Sequence, residues 1–372
     1  MKIMKIMLFM TLISFRTFAS EPIFTIEAKP NNPIKEIQYT NHEDIFFYTS
    51  ENFWQPGTNL TKTINIFDLA NLKNKFTGSI QANTKIKELL VSNDKSIVFF
   101  HLLNENSVSS VILANLNNGR LISLPKIGRY SRVIFNPIDR IVYFIDDQAN
   151  NIHQFDFKNE SVESSEVKLA KNETLVSLNN SVAIASKNFI TLDLRFIGED
   201  TPFVTVSDYE LVSNVRLKKS KFYVKNKNFL FTNFKNEFFS EQFVYDIKKK
   251  ELIVSDFNDI YSVSNIENPS FFNIYHRYDR KGTLYSYTEN QESISYQLDN
   301  SSFGFRSKGR KLLFIESDNS TYPVKHTIKS LNVDTMKSEK ILSLNCADAF
   351  LTNSATHYVC LNSLKLEIYT VL

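Results

Sequence analysis

Four segments of this chain share one short pattern, and its spacing constrains the fold more than any other feature. They are "DIFFYTS" (Asp44–Ser50), "SIVFFHLL" (Ser96–Leu103), "RIVYFID" (Arg140–Asp146) and "KLLFIES" (Lys311–Ser317). Each is an apolar run of strand length, and each follows a shorter run and a polar turn. A third run then ends in Asp or Asn beside apolar residues: "NIFDLAN" (Asn65–Asn71), "ILANLNN" (Ile112–Asn118), "QFDFKN" (Gln154–Asn159) and "SLNVDT" (Ser330–Thr335). Runs of four to eight residues rich in Ile, Val, Phe, Tyr and Thr, bounded by Asn, Asp, Ser and Lys, read as strands and turns. Almost nothing in the chain sustains a helical period. With only 8 glycines and 9 prolines, Asn and Asp must supply most turns, because after Gly they tolerate left-handed backbone best.

Fainter copies fill the middle, among them "TLVSLNNSVAIASKNFITLDL" leading to "PFVTVSD" (Thr174–Asp208) and "LVSNVRLKKSKFYVKNKNFLFTNF" (Leu211–Phe234). Ile260–Asp299 is the weakest. The copies begin near residues 34, 86, 131, 174, 211, 260, 302 and 346, about 45 residues apart on average. Four strands in about 40–50 residues is the signature of a β-propeller. The last copy has three strands, while "IFTIEA" (Ile23–Ala28) belongs to no copy. The expected fold is therefore an all-β propeller of four-stranded blades, closed by the N-terminal strand pairing with the C-terminal blade. Closure removes two exposed strand edges. The count gives eight blades, or seven if one faint middle segment is an insertion.

The stretch "NPIDRIVYFIDDQANNIHQFDF" (Asn136–Phe157) resembles blades of the NHL, YWTD and YVTN/TolB-like groups of the β-propeller superfamily. The Gly-His and Trp-Asp pairs of WD40 repeats and the double Gly of kelch are missing, so the resemblance selects no single family. Its "DDQANN" cluster is read as turn chemistry rather than a cation site.

The N-terminus reads as an export signal. Lys2 and Lys5 precede an apolar run from Ile6 to Phe15, and Thr17 and Ala19 fit a cleavage site after Ala19. Residues 1–19 are thus the expected signal peptide and 20–372 a single propeller domain. An uncleaved anchor is the alternative, although the run is shorter than the roughly 20 residues a span needs. The 43 basic and 40 acidic residues give +3, and the leader carries Lys2, Lys5 and Arg16 without an acid. The expected mature chain is neutral, which argues against nucleic acid as a partner. The expected location is periplasmic or extracellular. In such an oxidising compartment Cys346 and Cys360 invite a disulfide across a hairpin turning near Asn353–Ala355; two buried free thiols are the other reading.

Local catalytic motifs are missing: there is no G-x-S-x-G elbow, no P-loop and no dinucleotide fingerprint. A single Trp, Trp54, excludes the quinoprotein propellers, which dock one per blade. The six histidines (His42, His101, His153, His276, His326, His357) lie at no metal-ligand spacing. No catalytic residue, metal or cofactor is assigned. Two features are candidates for binding. Phe53 and Trp54 sit in the long loop "TSENFWQPGTNLTKT", where an aromatic tip makes a contact site or folds back on the blade. Lys219, Lys221, Lys225 and Lys227 share a strand face with Tyr223, as a patch for an anionic partner or as an ordinary solvated or edge-guarding face. The function expected is a non-enzymatic, exported, monomeric ring that binds a partner protein, glycan or small ligand. The alternative is a hydrolase, lactonase or lyase with its site at the channel mouth.

Overall fold

The computed structural model describes residues 21–42, 44–51, 60–104, 109–124, 130–146, 150–178, 181–217, 220–225, 229–235, 240–254, 260–264, 271–276, 281–288, 291–298, 302–308, 311–332, 335, 337–352, 354–362 and 364–371. The expected leader lies outside them. A lone strand, β1 (Phe24–Glu27), precedes seven four-strand runs and a final run of three. Unit one is β2 (Ile34–Tyr39), β3 (Ile45–Glu51), β4 (Thr61–Asp68) and β5 (Lys73–Gln81). Unit two is β6 (Lys85–Val91), β7 (Ile97–Leu103), β8 (Ser109–Asn115) and β9 (Leu121–Ser123). Unit three is β10 (Tyr130–Asn136), β11 (Ile141–Asp146), β12 (Asn151–Asp156) and β13 (Ser161–Lys168). Unit four is β14 (Glu173–Leu178), β15 (Ser181–Lys187), β16 (Leu192–Phe196) and β17 (Val204–Val206), followed by helix α1 (Tyr209–Asn214). Unit five is β18 (Ser220–Lys225), β19 (Phe229–Lys235), β20 (Ser240–Asp246) and β21 (Glu251–Val254). Unit six is β22 (Ile260–Ser264), β23 (Phe271–His276), β24 (Lys281–Thr288) and β25 (Gln291–Leu298). Unit seven is β26 (Ser302–Lys308), β27 (Lys311–Asp318), β28 (Val324–Asn332) and β29 (Lys337–Cys346). The last unit is β30 (Asp348–Leu351), β31 (His357–Asn362) and β32 (Lys365–Thr370), with β1 as its fourth strand.

Hydrogen bonding groups these strands into six four-stranded sheets and one of eight. The larger sheet is units four and five, joined by a two-residue parallel pairing of β14 with β18 (Ser177↔Lys221, Leu178↔Phe222). The first strand of one unit touches that of the next at β10–β14, β14–β18, β22–β26, β26–β30 and β30–β2. Antiparallel meanders arranged about their first strands make the fold a β-propeller.

The second strand of each unit explains the recurrent aromatic run. In β3 alternate side chains leave opposite faces. Ile45 and Phe47 pack on Leu89, Val98 and Phe100 of unit two. Phe46 and Tyr48 pack on Phe350, Val359 and Ile368 of the last unit. Sandwiched between two neighbouring sheets, such a strand is apolar at consecutive positions instead of alternating. β7 and β11 repeat this, with Phe99 and Phe144 in the core between units two and three.

The recurrent Asp or Asn closing the third strand is a turn device. Asp68 accepts hydrogen bonds from the Ala70 and Asn71 amides. Asn115 accepts from Asn117 and Asn118, Asp156 from Lys158, and Asp246 from Lys248 and Lys249. Four residues after each stands a residue with positive φ: Leu72, Gly119, Glu160 and Lys250. The side chain fixes the turn well enough that Gly is needed only once among these four.

Asn136 ends a first strand, Thr40, Ser92 and Thr352 directly follow one, and all four are buried. Ser92 Oγ accepts from the Ser96 and Ile97 amides, and Asn136 Oδ1 from those of Ile138 and Asp139. These turns also tie neighbouring units. Asn41 pairs through its amide with both backbone groups of Val91, Lys95 meets Asp44, and Arg140 meets Asp94, both at 3.1 Å.

The N-terminal strand closes the last unit, with Phe24 opposite Ile368 and Glu27 opposite Lys365. A disulfide joins Cys346 to Cys360, with Cα atoms 5.5 Å apart. Its placement corrects the hairpin geometry: across the hairpin, Cys360 faces Ala349. Cys346 instead ends β29 of unit seven, so the bond links two units. The hairpin reading failed because Cys346 belongs to the preceding strand, one residue before β30 begins.

Two further corrections concern local structure. Leu211 does not begin a strand; it lies in α1. Asp208 caps that helix by accepting from the Leu211 amide, and Leu211, Val212 and Val215 enter the core of units four and five. The strand starts at Ser220. The first strands also carry a recurrent bulge: the pairing skips a residue between Ile34 and Glu36, Ile86 and Glu88, Tyr130 and Val133, Ile260 and Val263, and Phe303 and Arg306. Bulges re-aim side chains at the rims of closed sheets.

Candidate functional site

Unit four presents a concavity among the described residues. The turn between β15 and β16 begins at Asn188, whose Oδ1 accepts from the Ile190 and Thr191 amides at 2.7 and 2.6 Å. Its Nδ2 donates to Thr191 Oγ1 at 2.8 Å. This self-contained turn holds Phe189 and Ile190 in solvent, 94% and 68% exposed. Across from it, α1 buries Leu211 and Val212 and leaves Tyr209 75% exposed. Between them lies a groove of about 690 Å³, within the range of ligand sites. Phe189, Tyr209 and Leu217 supply apolar walls, and Glu173, Thr174 and Lys187 are among its other lining residues.

Two of the charges in the groove, Lys187 and Glu173, are already paired. Lys187 Nζ donates to the carbonyls of Ser213 and Val215, at 3.2 and 2.8 Å, tying β15 to the C-terminal end of α1. Burial lowers its amine below the ordinary lysine value. Glu173 binds Arg195 at 3.1 Å and accepts from the Ala170 amide; both members of that ion pair are largely shielded from water. The groove is thus rigid and mostly apolar. On the outer side of the unit, Phe196 and Phe203 stack at 4.5 Å and stay partly exposed.

Phe53 and Trp54 lie outside the described residues, as do Lys219 and Lys227. Lys221 and Lys225 stand on β18, which pairs with β19 along its length and with β14 over two residues; their side chains are outside the described set. Phe189 and Tyr209 were overlooked in the sequence. The signal was there: "KNFIT" places two bulky apolar residues directly after a turn-forming Asn, and "SDYELV" is a helix start.

Three histidines bond a serine on the neighbouring strand: His101 with Ser109 (3.1 Å), His153 with Ser164 (2.9 Å) and His326 with Ser317 (2.9 Å). On His101 and His153 the other ring nitrogen is buried without a hydrogen-bond partner. In each pair the hydrogen bond ties the two strands together. Among the described residues no three His, Cys, Asp or Glu side chains form a metal-holding group, and no helix is long and apolar enough to cross a membrane.

No family model matches the chain, and no curated protein matches it in sequence. Solved structures do match in fold. A eukaryotic initiation factor superposes with a TM-score of 0.53 at 14% identity, over 95% of this chain and 88% of that one. The WD40 domain of SCAP from fission yeast gives 0.51 at 11%, covering 94% of both chains. Dihydro-heme d1 dehydrogenase NirN in complex with DHE gives 0.51 at 14%, over 88% of this chain and 76% of its own. At such identities the likeness concerns the fold alone, and WD40 repeats build propellers: this chain has the β-propeller fold, without a sequence family to which it can be assigned.

Proposed function

We propose that this chain is an exported, non-enzymatic binding propeller that holds apolar side chains of a partner protein in the groove of unit four. The observation that carries this reading is the pair of exposed aromatic walls, Phe189 and Tyr209, each fixed by its own local hydrogen bonds. Rigid, exposed aromatics are the usual anchors of protein contacts, because they bury much area with little side-chain entropy to lose. A protein segment suits the groove better than a glycan, since Lys187 and Glu173 are already paired and the most exposed walls, Phe189 and Tyr209, are aromatic. Structural neighbours of this fold include an initiation factor and a WD40 domain as well as an enzyme, so the reading rests on the groove rather than on the fold.

The test replaces Phe189 with a photo-crosslinking phenylalanine and irradiates the native envelope or secreted fraction. One discrete adduct is expected, lost when Tyr209→Ala is added and not formed from the exposed turn residue Lys158. Equal labelling from position 158, or an adduct insensitive to Tyr209→Ala, would sink the proposal. Export is tested by N-terminal sequencing of the secreted or periplasmic protein, with Ser20 expected as the first residue. Recovery with Met1 intact would overturn it.

A further inference from the structure

The bulges of units two and three gather charge unevenly. In β6 the extra residue is Lys87, and in β10 the bulge takes in Arg132. Glu88 lies opposite His101 on the paired strand β7, so their side chains leave the same face. That face is turned to unit three, since Ile97 and Phe99 of β7 pack on Val133 and Phe135. Arg132 reaches beyond unit four, and its Nη2 donates to the carbonyl of Ser220, the first residue of β18, at 3.4 Å.

These four side chains act on one another. Surrounding protein, and then Arg132, hold the Lys87 amine below its usual range, against the pull of Glu88. Lys87 nevertheless remains open to solvent. Burial lowers Arg132, with Glu88 opposing. Burial, and then Lys87, push His101 down to about 4, so it is neutral at pH 7. The cluster therefore holds two cations against one carboxylate. Two donor or acceptor atoms in it are buried and unpartnered among the described residues, Arg132 Nε and His101 Nδ1. His101 is only 4% exposed. Leaving such atoms unmet is costly, and buried polar atoms without partners are uncommon in native proteins.

We propose that this cluster is a binding site for a small carboxylate, received by the Lys87 ammonium and the Arg132 Nε–H, with His101 Nδ1–H as the third donor. Ser109 sets the imidazole for this role by donating its hydroxyl proton to Nε2. The single surplus positive charge matches a monoanion, and a guanidinium edge fits a planar carboxylate. A dianionic phosphate would leave a negative excess beside Glu88. The site does not depend on the groove of unit four, although the Arg132–Ser220 contact brings it within three residues of Leu217 along the chain.

The experiment follows the imidazole nitrogens of His101 by NMR in the full mature protein at neutral pH and constant ionic strength. Acetate is titrated, with inorganic phosphate in a parallel arm. Acetate is expected to move the His101 signals saturably. Affinity should fall about tenfold or more in Lys87→Gln and in Arg132→Gln, as loss of one charge-assisted hydrogen bond implies. The exposed turn variant Lys158→Gln should match wild type. If Arg132→Gln does not fold, Lys87→Gln alone decides, since Lys87 is solvent-exposed. Unmoved His101 signals, or wild-type acetate affinity in Lys87→Gln, overturn the site. Phosphate binding as tightly as acetate overturns the carboxylate assignment.

Discussion

Strand β3 and the turn after β15 each carry adjacent bulky apolar residues, Phe46–Phe47 in one and Phe189–Ile190 in the other. Phe46 is 1% exposed and Phe189 94%. The difference lies in what flanks them. β3 stands between two neighbouring sheets, so both of its faces are interior. The turn stands where the chain leaves the sheets, and Asn188 satisfies its backbone locally. The same apolar pairing is therefore architecture in a second strand and solvent-facing surface in a turn. The sharpest way to break this comparison is Phe46→Ala, or Phe99→Ala in β7. Either should cost about 3–5 kcal/mol by urea unfolding. A loss under about 1 kcal/mol would mean the units are not held by these strands.

The seam is the next test. Units seven and eight share the Cys346–Cys360 bond as well as a packed core. The two cysteines are separated by 14 residues in sequence, a loop whose constraint is worth about 3 kcal/mol in the chain-entropy account. Cys346→Ser with Cys360→Ser should lower stability by about that amount and leave the strand content by circular dichroism unchanged. An unaltered melting temperature would assign the seam to apolar packing alone.

His101 adds a pH dependence. Its folded value, about 4, lies below the ordinary 6.5, so the unfolded chain takes up a proton first as pH falls. Stability is then highest above about pH 6.5 and declines toward pH 4, by up to roughly 3 kcal/mol from the size of the shift. His101→Gln should flatten the melting temperature across that window. Asp68 acts in the same direction at lower pH. Burial raises its carboxyl, but hydrogen bonds from Asn71 and the charge of Lys75 win and hold it below its usual value. Its contribution is present at neutral pH and lost as pH falls through that depressed value. Asp68→Ala removes the turn acceptor and should cost about 1–2 kcal/mol at neutral pH.

These effects follow how legible each feature was in the sequence. The second strands and the Asp or Asn turn residues stood out because each unit repeats the same local demand, two apolar faces and a left-handed turn. The N-terminal strand was placed by counting. The bulges were not visible, because an extra residue in a paired strand leaves no mark on a period-two pattern already broken by burial on both faces. Lys87 and Arg132 therefore looked like ordinary strand charges. The groove was missed because its walls come from a turn and from a six-residue helix too short to show a period. Cys346 was misplaced because unit seven ends one residue before the next strand begins, so two sheets read as one hairpin.

Phe189→Ala completes the comparison with the smallest effect on folding. The side chain is almost wholly solvent-exposed, and the Asn188 turn that carries it uses only backbone groups, Asn188 and Thr191. Truncation removes nothing from the core, so stability should stay within about 0.5 kcal/mol of wild type. Contact with the partner, read by crosslinking from a neighbouring groove position such as Tyr209, should nevertheless fall severalfold, as expected for truncation of an aromatic anchor. A variant that loses stability without losing the partner would make Phe189 a structural residue after all and erase its contrast with Phe46. A variant that keeps both would leave Tyr209 and Leu217 as the groove's working walls.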